Sequence, residues 1–344
     1  MKSVASGLLA AFLLCSCGSG TASTPSPTPP APGLLGDTWT WNGSAWRLAE
    51  AAGPPARVGA ALAFDPLRGE LLLYGGSGKD GLLNDTWAWD GTRWTERHPD
   101  HHPLERENAA AVFDPVLGRV ILFGGLARDQ AEGTESNETW SWTGSDWVLL
   151  QPRTSPSRRT GSSLVYDAAE NAVLLFGGHV GNLFYYDDTW KWDGATWTLV
   201  KPNRRPPGRG NAAIAYDEKT GEVVVFGGGA QAEGGPGQIG TPLDDTWTWN
   251  RSGWAIDPVG FRPGARLGAA MSPDVAGDRL LMFGGVTCPT LDPNLYAWTG
   301  GAWSVVTTSA GPPARSGMAM AFDSTRKQVV LFGGSSERSC FSGS

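Results

Sequence analysis

Histidine and cysteine are scarce in this chain of 344 residues, with four of each. The histidines, His98, His101, His102 and His179, leave little material for acid–base or multi-metal chemistry. No G-x-S-x-G, H-E-x-x-H or phosphate loop occurs. That removes the nucleophile-elbow hydrolases, the helix-borne zinc proteases and the P-loop enzymes. No run approaches the roughly 18 apolar residues of a membrane span. Positive charge is also short: 27 Lys and Arg against 34 Asp and Glu give a net charge of −7, which speaks against nucleic acid as a partner.

Glycine and tryptophan are in surplus, at 48 and 17 residues, and the tryptophans are periodic. NDTWAWDGTRW occupies residues 84–94, and its spacing returns as DTWTWNGSAW from Asp37, ETWSWTGSDW from Glu138, DTWKWDGATW from Asp188 and DTWTWNRSGW from Asp245. In a sixth copy, LYAWTGGAW from Leu295, Tyr296 replaces the first Trp. All 17 tryptophans fall in this register. A sugar platform needs one or two exposed rings, whereas a ring in every repeat fits packing. Each buried indole contributes about 4–6 kcal/mol gross.

A second block alternates with the first. It begins at Arg57, Arg106, Arg159, Arg209, Arg266 and Arg315, as in RVGAALAFDPLRGELLLYGG, with Asp eight residues after Arg and a Gly pair beginning eighteen after it. This reads as strand, tight turn, strand. The Trp block adds two strands, with W-x-W placing both indoles on one face. One repeat is therefore a four-stranded antiparallel meander. Bulk grows along it, from Ala, Gly and Ser through Leu, Val and Phe to Trp. Sheets arranged radially crowd at the axis and diverge outside, so this gradient predicts an all-β propeller. An orphan Trp block at Asp37 and an orphan Arg block at Arg315 together complete one blade. The expected architecture is a six-bladed β-propeller of four-stranded antiparallel blades, the last closed by N-terminal outer strands pairing with C-terminal inner strands.

The repeat resembles that of the kelch family of β-propellers, which shows R-x-G opening the inner strand, a Gly-Gly doublet ending the second, and an aromatic followed by Trp in the outer strands. Arg57-Val58-Gly59 carries the first element, while Arg106-Glu107-Asn108 keeps Arg and replaces Gly. The resemblance covers residues 37–334.

The N-terminus has a different character. Lys2, the apolar stretch Val4 to Leu14 and LLCSCGSG resemble a bacterial lipoprotein signal over residues 1–16, with Cys17 as the lipidated residue. Residues 17–33, rich in Pro, Ser and Thr, then form an extended tether, and residues 34–344 form the propeller. Loss of Lys2 with the signal takes the net charge from −7 to −8. Export would permit a disulfide between Cys288 and Cys340. Such a bridge, closing a loop of about 50 residues, contributes roughly 4 kcal/mol; two free thiols are the alternative.

Turns alternate between the two faces of a meander. The short turns share one face, and the segments after Gly-Gly share the other with the blade connections. The separation from the second Gly to the next aromatic block is 11 residues in the first and fifth repeats, 15 in the second and 19 in the fourth. Residues 126–137 and 229–243 are the long ones. Variable loops on one end of a rigid scaffold are where recognition usually resides.

Two readings of the arginines stay open. They form a ring of positive charge at the channel mouth that binds a carboxylate ligand or acidic peptide, a role the kelch resemblance supports. Alternatively each pairs with the acid two before the first Trp, namely Asp37, Asp85, Glu138, Asp188 and Asp245; Asn294 at the equivalent place would leave one arginine over. Tyr185 and Tyr186 are further ligand candidates, able to stack on a sugar or to begin the third strand. His98, Asp100, His101 and His102 could hold a divalent ion. A galactose-oxidase-like copper site, or a carbohydrate-active enzyme on the same face, is the alternative function. Copper would need two His and two Tyr, and Tyr74, Tyr166, Tyr216 and Tyr296 occupy ordinary repeat positions. The expected function is an extracytoplasmic, lipid-anchored, monomeric scaffold without cofactor, recognising a protein or glycan through the loop face and touching membrane only through its lipid.

Overall fold

The computed structural model describes residues 33–129, 132–181, 183–231, 240–258, 260–288 and 290–337. The expected signal, Cys17 and most of the tether fall on residues 1–32 and lie outside them, as does Cys340. Among the described residues no helix is long and apolar enough to cross a membrane, and the only helical element is the short 3-10 turn Val275–Gly277.

Among the described residues there are six four-stranded antiparallel sheets. The first blade runs outward through Ala61–Asp65, Glu70–Gly78, Gly81–Trp89 and Trp94–Arg97. The inner strands of the others are Ala110–Asp114, Ser163–Asp167, Ala213–Asp217, Ala270–Asp274 and Ala319–Asp323. These neighbour one another in order, and the last lies beside Ala61–Asp65, so the sheets form a closed ring. In the closing blade Ala319–Asp323 and Gln328–Phe332 pair with Thr38–Trp41 and Trp46–Ala49, in the register Trp39 opposite Leu331. The fold is a β-propeller.

The bulk gradient explains the packing. Second-strand residues such as Val120, Ile121, Leu122 and Phe123 are fully buried because neighbouring blades cover both faces of the sheet. A continuous apolar run is the expected pattern there. Outside them the second and third indoles of each block meet at 5.3–5.5 Å between centroids. The third indole also packs on the aromatic that ends the second strand of the preceding blade, as Trp197 does on Phe123 and Trp254 on Phe176.

Polar contacts are woven into the same wedge. Trp94, Trp147, Trp197, Trp254 and Trp303 each donate their buried indole N–H to a threonine hydroxyl of the preceding blade, on Thr38, Thr86, Thr139, Thr189 and Thr246, at 2.8–3.0 Å. At the turns, five of the six aspartates that end inner strands accept backbone N–H groups two or three residues on, as Asp65 does from Leu67 and Arg68; Asp274 instead accepts from the Arg279 guanidinium. Trp41 and Trp192 donate across the blade boundary to Asp274 and Asp114. The tryptophans are packing elements.

Candidate functional site

The six repeat arginines stand just ahead of the inner strands, and all are at most 1% exposed. Each is held by its own blade. Arg57 donates from Nε to the Pro55 carbonyl, from Nη1 to the Gly75 carbonyl and through a two-pronged contact to Asp85. Arg159, Arg209 and Arg315 repeat this with Asp188, Asp245 and Asp37. Arg106 reaches Glu138 through Nη2 alone, at 2.6 Å. The first indole of the Trp block adds its N–H to the same carboxylate, as Trp87 does to Asp85 at 2.7 Å.

The pairing reading is therefore the arrangement found, and the expectation of an exposed ligand-binding ring of Arg57, Arg106, Arg159, Arg209, Arg266 and Arg315 is corrected. A guanidinium without exposed surface offers nothing to a ligand. The expected surplus arginine is also absent: Arg266 donates to Asp292 at 2.7 Å, and Tyr296 donates its hydroxyl to the same carboxylate at 2.8 Å. Where Tyr replaces Trp, the acid moves two residues earlier and the contact survives.

Electrostatics follow the geometry. Burial works to raise the Asp37 carboxyl, but the hydrogen bonds and charge of Arg315, with the Trp39 indole, outweigh it and hold the group below the ordinary range. The same balance lowers Asp245 beside Arg209, and Glu138 beside Trp140 and Arg106. Asp292 is lowered too, by the backbone N–H of Asn294 and the charge of Arg266 acting against burial.

Two residues after each arginine the chain enters the left-handed region, at Gly59, Asn108, Gly161, Asn211, Gly268 and Gly317, with φ between 51° and 68°. Each N–H donates to the carbonyl of its counterpart in the preceding blade: Asn108 to Gly59, Gly161 to Asn108, Asn211 to Gly161, Gly268 to Asn211, Gly317 to Gly268 and Gly59 to Gly317, at 2.8–3.0 Å. The circle of six bonds closes around the channel mouth on the loop face. Glycine and asparagine stand there because they tolerate this backbone best. This is the physical content of the R-x-G element, and it explains why Asn108 can replace glycine.

Beyond the ring the blades differ. Residues 126–137, expected as an open loop, contain a ribbon, Leu126–Asp129 with Glu132–Glu135, which adds to Arg106–Glu107. In the third blade His179–Val180 pairs with Phe184–Tyr185 in a separate hairpin ahead of the third strand, Thr189–Trp192. Tyr185 stacks on His179 at 5.2 Å, and Tyr186 lies under Arg159 at 3.8 Å. Leu183 and Phe184, at 59% and 53% exposed, project instead. In the fourth blade Gly229–Ala230 and Thr241–Pro242 flank residues 232–239, which lie outside the described set.

The metal candidates do not converge. His101 Nδ1 meets Asp146 Oδ2 at 2.8 Å, and His102 Nδ1 meets the Pro103 carbonyl. Among the described residues no group of three or more His, Cys, Asp or Glu could hold a metal ion. The tyrosines of the copper alternative are engaged separately, Tyr74 with the Pro103 carbonyl and Tyr296 with Asp292. Cys288 is disulfide-bonded; its expected partner, Cys340, lies outside the described residues.

A model of the KLHDC2/KLHL20/DRC7 Kelch-repeats domain matches residues 37–228, more than half of the chain. The chain belongs to the kelch-repeat family. No curated protein matches it. The kelch register continues beyond the matched segment, since Arg266 and Arg315 make the same contacts to Gly284 and Gly333 that Arg57 makes to Gly75. Kelch domains commonly mediate protein binding.

Proposed function

We propose that this kelch propeller is a lipid-anchored, extracytoplasmic scaffold that captures a protein or glycan through its loop face. One observation carries the reading: arginines, acids and indoles repeat blade after blade in structural contacts, and the variation in loop length gathers on a single face. There Leu183 and Phe184 are exposed, and the connections 151–158 and 201–208 hold Arg153, Arg158, Lys201, Arg204 and Arg205 without an acidic residue. Arg205 pairs with Asp187, and Arg204 lies over the Trp247 ring. Apolar tips beside basic residues in an acidic chain suit an acidic partner. At the mouth, Ser162 Oγ is buried without a protein partner and can receive one polar group. Export and lipidation rest on Lys2, Val4–Leu14 and Cys17 of the sequence.

The test is capture from envelope material by the full chain and by a chain with short turns in place of residues 126–137 and 229–243. Loss of capture with unchanged melting supports the loop face; undiminished capture refutes it. Palmitate labelling of the expressed protein, abolished by Cys17→Ala, tests the anchor separately.

A further inference from the structure

The axial channel ends differently on its two faces. On the loop face the ring of left-handed residues borders a depression of about 140 Å³. On the opposite face, that of the short turns, there is a well of about 500 Å³. Its rim takes one residue from each blade: Phe64, Phe113, Tyr166, Tyr216, Pro273 and Phe322. Each precedes the aspartate that ends an inner strand. The five aromatic rings pack against the core clusters between blades and line the well while half-buried, so the packing role leaves ring surface facing the cavity.

The side chains of the wall are mostly apolar, while the inner strands, each the edge of its sheet, add unpaired backbone N–H and C=O groups along the channel. Among its lining residues only Glu218 carries charge, and it lies exposed at the mouth. The Tyr166 hydroxyl is taken by Asn171 Oδ1 at 2.7 Å, and the Ser272 hydroxyl donates to the Pro273 carbonyl. The aspartates below the rim are buried, with Asp65 and Asp323 bonded to their turn N–H groups and to Arg68 and Arg326. The rings and aliphatic side chains of the wall favour an apolar occupant, and the volume falls within the roughly 300–1,000 Å³ of small-molecule sites. Gly33 and Ser336 hydrogen-bond to each other on the loop face, at the far end of the channel from the well.

We propose that this well is a second binding site, open on the turn face, for a neutral apolar small molecule of the aromatic or branched aliphatic class. The site is independent of the loop face.

The full chain is titrated with N-phenyl-1-naphthylamine, a neutral apolar fluorophore, alone and in competition with cyclohexanol and naphthalene. Two variants narrow the mouth from exposed turn positions without entering the core, Ala168→Trp and Ser324→Trp, both of which line the well. The expected result is saturable binding of one probe per chain, competed by both apolar molecules and weakened about tenfold or more by each variant that melts like the parent. Shortening residues 126–137 should leave it unchanged. Absence of saturable binding, unsaturable partitioning, or equal affinity in both folded variants overturns the proposal. So does binding that fades as chain concentration rises, which would place a second copy in the well.

Discussion

Trp46 and Leu295 share one core cluster, and the Trp46 indole N–H is buried without a hydrogen-bond partner. At the five equivalent places a threonine of the preceding blade accepts that N–H; in the fifth blade the threonine is Leu295. One substitution in the repeat thus leaves the Trp46 donor orphaned, as those of Trp89, Trp142 and Trp298 also are.

Removing the Thr86 hydroxyl should reproduce the orphan. Thr86→Val is isosteric and strands Trp147 Nε1, at an expected cost of about 1–3 kcal/mol in chemical denaturation. The double variant Thr86→Val/Trp147→Phe removes donor and acceptor together, so the two losses should be clearly less than additive. Strict additivity would show that the bond contributes nothing.

Arg315 and Asp37 join the C-terminal and N-terminal parts of the closing blade through two bonds, at 2.5 and 2.8 Å. Arg315→Met leaves the half-buried Asp37 carboxylate with the Trp39 indole N–H as its remaining side-chain donor and should destabilise by about 2–3 kcal/mol, less than breaking a fully buried pair. Arg315→Lys should recover only part of this, because an ammonium lacks the fork. Equilibrium unfolding of the three proteins decides it.

Acid should unfold the ring through its paired carboxylates. Asp37, Glu138, Asp245 and Asp292 have folded pKa values below their ordinary ones. The stability they contribute is present above the unfolded range near about pH 4 and is lost as pH falls through the folded values. Glu107 has the opposite sign, since burial raises its carboxyl; its contribution is present below the unfolded range and lost as pH rises through the folded value. Glu107→Gln should therefore stabilise at neutral pH and change little below about pH 4. Melting curves across pH check both.

The mouth ring gives a residue-specific expectation. Gly268 has φ +68° with no contact nearer than 3.4 Å to an added Cβ, so backbone conformation rather than space limits substitution. Gly268→Ala should cost about 1–2 kcal/mol. Gly268→Asn should cost less, as Asn108 and Asn211 already serve in the same place. Equal losses in denaturation would contradict the assignment.

Much of the fold was legible because the repeat aligns residues that touch. The Arg block and Trp block specify strand order, the bulk gradient specifies radial packing, and the split repeat specifies how Thr38–Trp41 meets Gln328–Phe332. The arginine pairs were legible wherever the acid kept its register. Asp292 was not, because two substitutions moved together and spacing alone conceals that. Gly59 and its counterparts read only as part of the R-x-G that opens the inner strand; their bonds run between blades, which no local pattern displays, although Asn108 and Asn211 at the same offset carried the signal of a left-handed position. Tyr185 and Tyr186 showed as aromatic, yet only the hairpin register separates them from the projecting Leu183 and Phe184.

A crossed comparison of Arg159→Met with the chain shortened at residues 126–137 and 229–243, scored for unfolding free energy and for capture from envelope material, is the most direct measurement. If the arginines hold the ring and the loops do the recognising, Arg159→Met loses stability yet captures while folded, and the shortened chain keeps its stability and loses capture. The reverse pattern, a stable Arg159→Met protein that no longer captures, would return the arginines to the binding site and contradict the division of labour between ring and loops.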